Sequence, residues 1–159
     1  MNLHVQVNIQ TQQLHIVVDE QIIQTFIIST AKKGRGQING SEQTPEGKHI
    51  IRAKIGNQCP LYTVFVGRRP TGEVFSPLLK ARFPDRDWIL TRIFWLSGLE
   101  KGKNRLGEVD TMRRYIYLHG TSDENSLGFP SSHGCIRMAN LDIMQLFDQI
   151  PVGTLVHIS

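Results

Sequence analysis

The sequence predicts a mostly β domain with one short helix near its end, and three observations carry that expectation. Leu3, Val5, Val7 and Ile9 alternate with polar residues, which places them on one face of a strand. The extended stretches are separated by turn sequences, of which Thr44-Pro45-Glu46-Gly47 is the clearest. Near the end, Ile143, Met144, Leu146, Phe147 and Ile150 recur at helical spacing. The chain has 159 residues, enough for one domain, 1–159, with a core of its own.

Taken in order, Leu3 to Ile9 forms the first strand and Gln10 to Gln13 a polar turn. Leu14 to Val18 and Ile22 to Ser29 continue the pattern, with Asp19-Glu20-Gln21 as the break. Gly34, Gly36 and Gly40 mark a loop that Thr44-Pro45-Glu46-Gly47 closes. Lys48 to Ile55 and Tyr62 to Val66 are two further strands. Residues 67–111, punctuated by Pro70, Pro77 and Pro84, read as an irregular insertion that can cap a binding site. Its two tryptophans, Trp88 and Trp95, serve either that cap or the core. Arg114 to Leu118 is again extended and delivers His119-Gly120. A loop follows from Asp123 to Pro130, and Cys135 to Met138 is extended once more. Asn140 is placed to cap the helix, Pro151 and Gly153 end it, and Leu155 to Ile158 is the last strand.

Composition narrows the function classes. Hydrophobic residues make up 40% and charged residues 20%, ordinary for a globular protein. The net charge of +4 is modest, and Lys32-Lys33 and Arg68-Arg69 are short pairs rather than a basic stripe, so no nucleic-acid partner is expected. No apolar run approaches a membrane span, and no membrane partner is expected. The alternating N-terminus lacks the pattern of a signal peptide, so the expected location is the cytoplasm; the periplasm is the alternative if a signal has been removed. The cysteines, Cys59 and Cys135, form no disulfide framework. Nothing in the sequence sets an oligomeric state.

The chemistry concentrates between His119 and Arg137. Cys135 follows Gly134, whose flexibility lets backbone amides point at a bound oxyanion, and His133 and His119 supply imidazoles. Residues 133 and 135 project to the same side of an extended segment. Spacing alone does not choose between the two histidines as the base. The competing use of His119, His133 and Cys135 is a zinc site with one open position. No Cys-x-x-Cys or His-x-x-x-His pair accompanies them, so neither a metal nor a cofactor is expected. Chain order sets the pattern apart from papain-like and NlpC/P60-like peptidases, in which cysteine precedes histidine. Sortases share the order His, Cys, Arg but have a much longer gap and a threonine-rich cysteine motif.

The run His119-Gly120-Thr121, a loop, and Ser132-His133-Gly134-Cys135-Ile136-Arg137-Met138 resembles the signature of L,D-transpeptidases with a YkuD-type catalytic domain. The resemblance extends through Thr44-Pro45-Glu46-Gly47, Arg114 to Leu118 and Gly153-Thr154-Leu155-Val156, and so covers nearly the whole chain. It implies a YkuD-type β-sandwich with a capping insertion and a short C-terminal helix. It implies that Cys135 is the nucleophile, His119 the base oriented by the Gly120 carbonyl, and His133 a residue that shapes the site. The amides of His133, Gly134 and Cys135 would form the oxyanion hole, and Arg137 and Ser132 would contact substrate.

The implied substrates are peptidoglycan tetrapeptide stems or soluble muropeptides, cleaved between meso-diaminopimelate and D-alanine through a thioester. For a cytoplasmic enzyme the expected acceptor is water, which makes it an L,D-carboxypeptidase in wall recycling. The alternative is L,D-transpeptidation, giving 3→3 crosslinks or D-amino acid exchange. Acylation by carbapenems is also implied. From another class, a muropeptide- or zinc-binding domain without turnover remains the alternative.

Overall fold

The computed structural model describes residues 2–159. Its strands are β1 Leu3–Asn8, β2 Gln13–Val18, β3 Gln21–Ser29, β4 Gly47–Ile55, β5 Thr63–Val66, β6 Arg69–Val74, β7 Ile89–Gly98, β8 Tyr117–Gly120, β9 Ile136–Met138 and β10 Leu155–Ile158. Two α-helices accompany them, α1 Pro77–Arg82 and α2 Asn140–Gln149. Strand neighbours run β4-β10-β1-β2-β3-β9-β8-β7, and β4 pairs again with β7, so the sheet closes into a barrel. The mostly β expectation holds, with the two layers joined at their edges. Closure leaves no long open edge between β4 and β7, which removes a template for unwanted pairing.

The barrel interior is filled by one face of each strand. Leu14, Ile16, Ile28, Leu96, Leu118, Ile136 and Met138 are essentially inaccessible there. Burying each such side chain stabilises the fold by roughly 1.5–3 kcal/mol. From α2, Ile143, Leu146 and Phe147 enter the same core, with the Phe147 ring 5.5 Å from that of Phe94. A second cluster of Phe65, Ile93 and Tyr117 packs on the opposite face of β7 and β8, joined by Trp95, Cys59 and Cys135.

Four elements depart from the sequence expectations. Residues 67–111 are not one insertion, because β7 runs through them as a barrel strand between β8 and β4. Both faces of β7 are covered, so its sequence Ile-Leu-Thr-Arg-Ile-Phe-Trp-Leu lacks period-two alternation. The cap is narrower: the β5–β6 hairpin and the segment around Asp87 lie over the Cys135 side. A second helix, α1, is present, capped by the Ser76 hydroxyl and begun by Pro77, with no buried residue to give it periodicity. Residues 114–116 form a tight turn rather than a strand, with Tyr115 in the left-handed region at φ 57°. Finally, Ala139 is the helix N-cap and Asn140 the first helical residue. The Asn140 amide turns instead to Thr121 O at 2.8 Å and Glu124 Oε1 at 2.9 Å, while Glu124 also accepts the Asn140 backbone N–H.

Candidate active site

The parallel pairing of β8 with β9 sets Leu118 beside Ile136, His119 beside Arg137 and Gly120 beside Met138. Leu118, Ile136 and Met138 face the core. By the alternation of strand side chains, Tyr117, His119, Cys135 and Arg137 must face the other way. There they line a cleft of about 500 Å³, together with His133 and Ser132, beneath Gly67, Arg68 and Asp87. Two short strands therefore bring residues from the two halves of the motif to one surface.

Cys135 is held by its neighbours' backbone. The Tyr117 N–H donates to Sγ at 3.3 Å, and the thiol donates to Tyr115 O at 3.3 Å. The left-handed turn at Tyr115 is what aims that carbonyl at the sulfur. Burial pushes the thiol up to about 12, and Asp87 adds to the rise; the Tyr117 N–H and the cations of Arg137 and Arg114 oppose it. At neutral pH the resting sulfur is a thiol, so attack requires a base.

His119 is buried, and its Nδ1 lies 2.6 Å from Gly120 O. A carbonyl only accepts, so Nδ1 carries the proton and Nε2 the lone pair. Burial lowers the imidazole pKa, with Gly120 and Asp87 opposing and Arg137 assisting. A neutral ring with a free Nε2 is the form a general base requires. His133 is exposed, at the rim of the same cleft.

The turn before Cys135 depends on Gly134, which adopts φ 131°; a Cβ there would stand 3.2 Å from both Gln43 O and Ile116 Cδ1. Ser132 is buried, and its hydroxyl donates to Cys135 O at 2.6 Å while accepting the Gly134 N–H at 3.2 Å. These bonds make Ser132 a brace of the turn, with its hydroxyl already used. They also engage the Gly134 amide, one of the three expected to face an oxyanion. Arg137 faces Asp87 at 3.7 Å. Among the described residues no three His, Cys, Asp or Glu side chains converge as a metal-binding group.

Several residues of the site escape a reading of the motif. Arg114 donates to Gln43 O at 2.6 Å and to Gly36 O at 3.2 Å, fastening the loop after β3 beside the cleft. Arg68 and Asp87 come from the cap, and Tyr117 supplies the amide that meets Sγ. Only period two, which puts Tyr117 on the face of His119, is a sequence signal for any of them.

Comparison with known proteins gives a consistent result. Residues 2–158 match the family model described as the L,D-transpeptidase catalytic domain, YkuD. YqjB of Bacillus subtilis (strain 168), whose name places it with the L,D-transpeptidases, is 32% identical over 158 residues, covering 98% of this chain and 70% of that protein. Among solved structures, an L,D-transpeptidase from Mycobacterium smegmatis superposes with a TM-score of 0.58 at 17% identity, over 99% of this chain and 58% of that one. L,D-transpeptidase 3 from Mycobacterium tuberculosis, in complex with a faropenem-derived adduct, gives 0.59 at 14% identity, over 99% and 60%. The chain thus spans somewhat under two thirds of these solved structures, and at such identities they share its fold.

Proposed function

The chain belongs to the L,D-transpeptidase family of YkuD type, and from that premise we propose that it is a cysteine acyl-enzyme peptidase of peptidoglycan stem peptides. The observation that carries this reading is the placement of the Cys135 thiol between Tyr117 N and Tyr115 O. It shares one cleft with an imidazole whose Nδ1 is committed to Gly120.

In this reading His119 Nε2 takes the thiol proton as Sγ attacks the carbonyl between the third residue of a tetrapeptide stem and its terminal D-alanine. The oxyanion forms against the amides of His133 and Cys135, donors that need no reorganisation because the Gly134 turn already fixes them. The C–N bond then breaks, the imidazolium returns its proton to the departing amine, and a thioester remains on Cys135. Water, activated by the same imidazole, releases the tripeptide and restores the thiol.

Water is the proposed acceptor because hydrolysis needs a single stem, and the cleft at Cys135, about 500 Å³, is the size of one such ligand. The test is incubation with a disaccharide tetrapeptide, with and without D-amino acids, followed by mass analysis. Release of D-alanine with tripeptide is expected. Dominant 3→3 dimers or exchange products would move the reading to transpeptidation, and no product of either kind would overturn it. A carbapenem, whose strained amide offers the same electrophile, should leave one adduct on Cys135.

A further inference from the structure

Three guanidinium groups border the cleft, and two of them are already occupied. Arg114 spends its donors on Gly36 O, Gln43 O and the Ser41 hydroxyl. Arg137 faces the Asp87 carboxylate. Arg68 differs. Its guanidinium carbon lies 4.7 Å from the centre of the Trp95 ring and 5.0 Å from that of Tyr115, and it donates one bond of 3.1 Å to the Tyr117 hydroxyl. No carboxylate pairs with it among the described residues.

None of these partners neutralises the charge. Aromatic faces attract a cation without cancelling it. Burial raises the Tyr117 pKa, with Arg68 opposing, so the phenol keeps its proton at neutral pH. A guanidinium has five N–H donors, and the phenol takes one of them. Arg68 is also rigidly presented. Gly67 and Arg68 form the two-residue turn between β5 and β6, at φ 56° and 64°, the geometry that suits a tight hairpin. The two tyrosines that hold its side chain are those whose backbone touches Sγ. An unpaired, pre-oriented fork is thus fixed relative to the reacting sulfur.

We propose that Arg68 determines specificity by binding a carboxylate beside the scissile bond of the stem peptide, and so directs acyl transfer to donors that carry it. The inference rests on the acyl-transfer reading above. Beside the scissile bond a tetrapeptide stem offers two such groups, the terminal carboxylate of the departing alanine and the free carboxylate of the diaminopimelate. Either matches the planar fork of a guanidinium in a two-point bond.

The experiment compares wild type, Arg68→Gln and Arg68→Lys on three peptides: the free tetrapeptide and the two forms amidated singly at one of these carboxylates. On the free peptide Arg68→Gln should raise KM tenfold or more with a smaller change in kcat, and Arg68→Lys, which keeps the charge but not the fork, should lose less. On one amidated form the wild type should already be impaired and Arg68→Gln should add nothing; that form identifies the carboxylate. If Arg68→Gln carries its full penalty on both amidated peptides, Arg68 merely packs the hairpin and the proposal falls. Arg69→Ala, at the exposed neighbour, should leave KM unchanged. Calorimetric binding of the same peptides to Cys135→Ala, with and without Arg68→Gln, needs no turnover. If the wild type turns over nothing while this pattern survives in binding, the acyl-transfer reading fails and the carboxylate site stands. If binding is indifferent to Arg68, the site fails on its own.

Discussion

The Thr44 hydroxyl donates to the Gly134 carbonyl at 3.0 Å, across 90 positions of sequence. The same oxygen accepts the Ala31 N–H at 2.9 Å, and Thr44 is wholly buried. One side chain thus joins the loop after β3 to the turn that carries Cys135. The position of Cys135 depends on segments far from its own motif.

Thr44→Val keeps the shape and removes the hydroxyl, leaving two buried backbone groups without a partner. The expected cost is about 1–3 kcal/mol of stability, read as a Tm several degrees lower, with a fall in kcat. Thr44→Ser should retain most of both. An unchanged Tm in Thr44→Val would mean that the bond does not brace the turn.

Cys135→Ala should abolish turnover and leave circular dichroism and Tm near wild type at neutral pH, because Cys135 only borders the outer cluster of Phe65, Ile93 and Tyr117. Cys59→Ala should be nearly silent in activity. D-alanine release measured on both variants decides this, and a dead Cys59→Ala beside an active Cys135→Ala would reassign the nucleophile.

The histidines should separate. His119→Ala removes the buried imidazole bound to Gly120 and is expected to slow acylation about a hundredfold or more. His133, exposed at the rim, should cost much less, acting through the local geometry of the turn. Single-turnover acylation rates, with thiol titration against pH, check this; equal small losses would remove His119 from the proton-transfer role.

Legibility in the sequence followed the range of the interaction. The Ser132–Arg137 run and His119-Gly120 could be read because they are contiguous, and period two alone places Cys135 and Arg137 on one face. β7 was hidden because Phe94 and Leu96 enter the barrel while Ile93 and Trp95 serve the outer cluster, so both faces are apolar. β6 was masked by Pro70 and Gly72, which a strand on the outer edge of the sheet tolerates. Asn140 looked like a cap, yet its amide is drawn to Thr121 O and to Glu124. Arg68, Arg114 and Asp87 reach the cleft through tertiary packing, which no local pattern records.

Stability should depend on pH at both ends of the scale. Burial lowers the His49 pKa from its ordinary 6.5 to about 4, against the pull of Gly47 O and Glu100. His119 shifts in the same direction. The unfolded chain therefore binds these protons more readily; for His49 the contribution is full above pH 6.5 and is lost as pH falls towards 4. For His49 this is on the order of 3 kcal/mol, and His49→Gln should flatten the acid side of a Tm-against-pH curve. Cys135 has the opposite sign: its thiol, at about 12 rather than the ordinary 9.0, contributes fully below pH 9.0 and less as pH rises towards 12. Cys135→Ala should remove that alkaline contribution, and a curve identical to wild type would contradict the raised thiol pKa.

Intact-protein mass spectrometry of a rapidly quenched reaction with tetrapeptide tests the acyl-enzyme most directly. The account predicts one adduct with the mass of the donor less one alanine, mapping to Cys135, decaying as tripeptide accumulates and missing from Cys135→Ala. Release of D-alanine with no such species at any quench time, or an adduct on another residue, would contradict it.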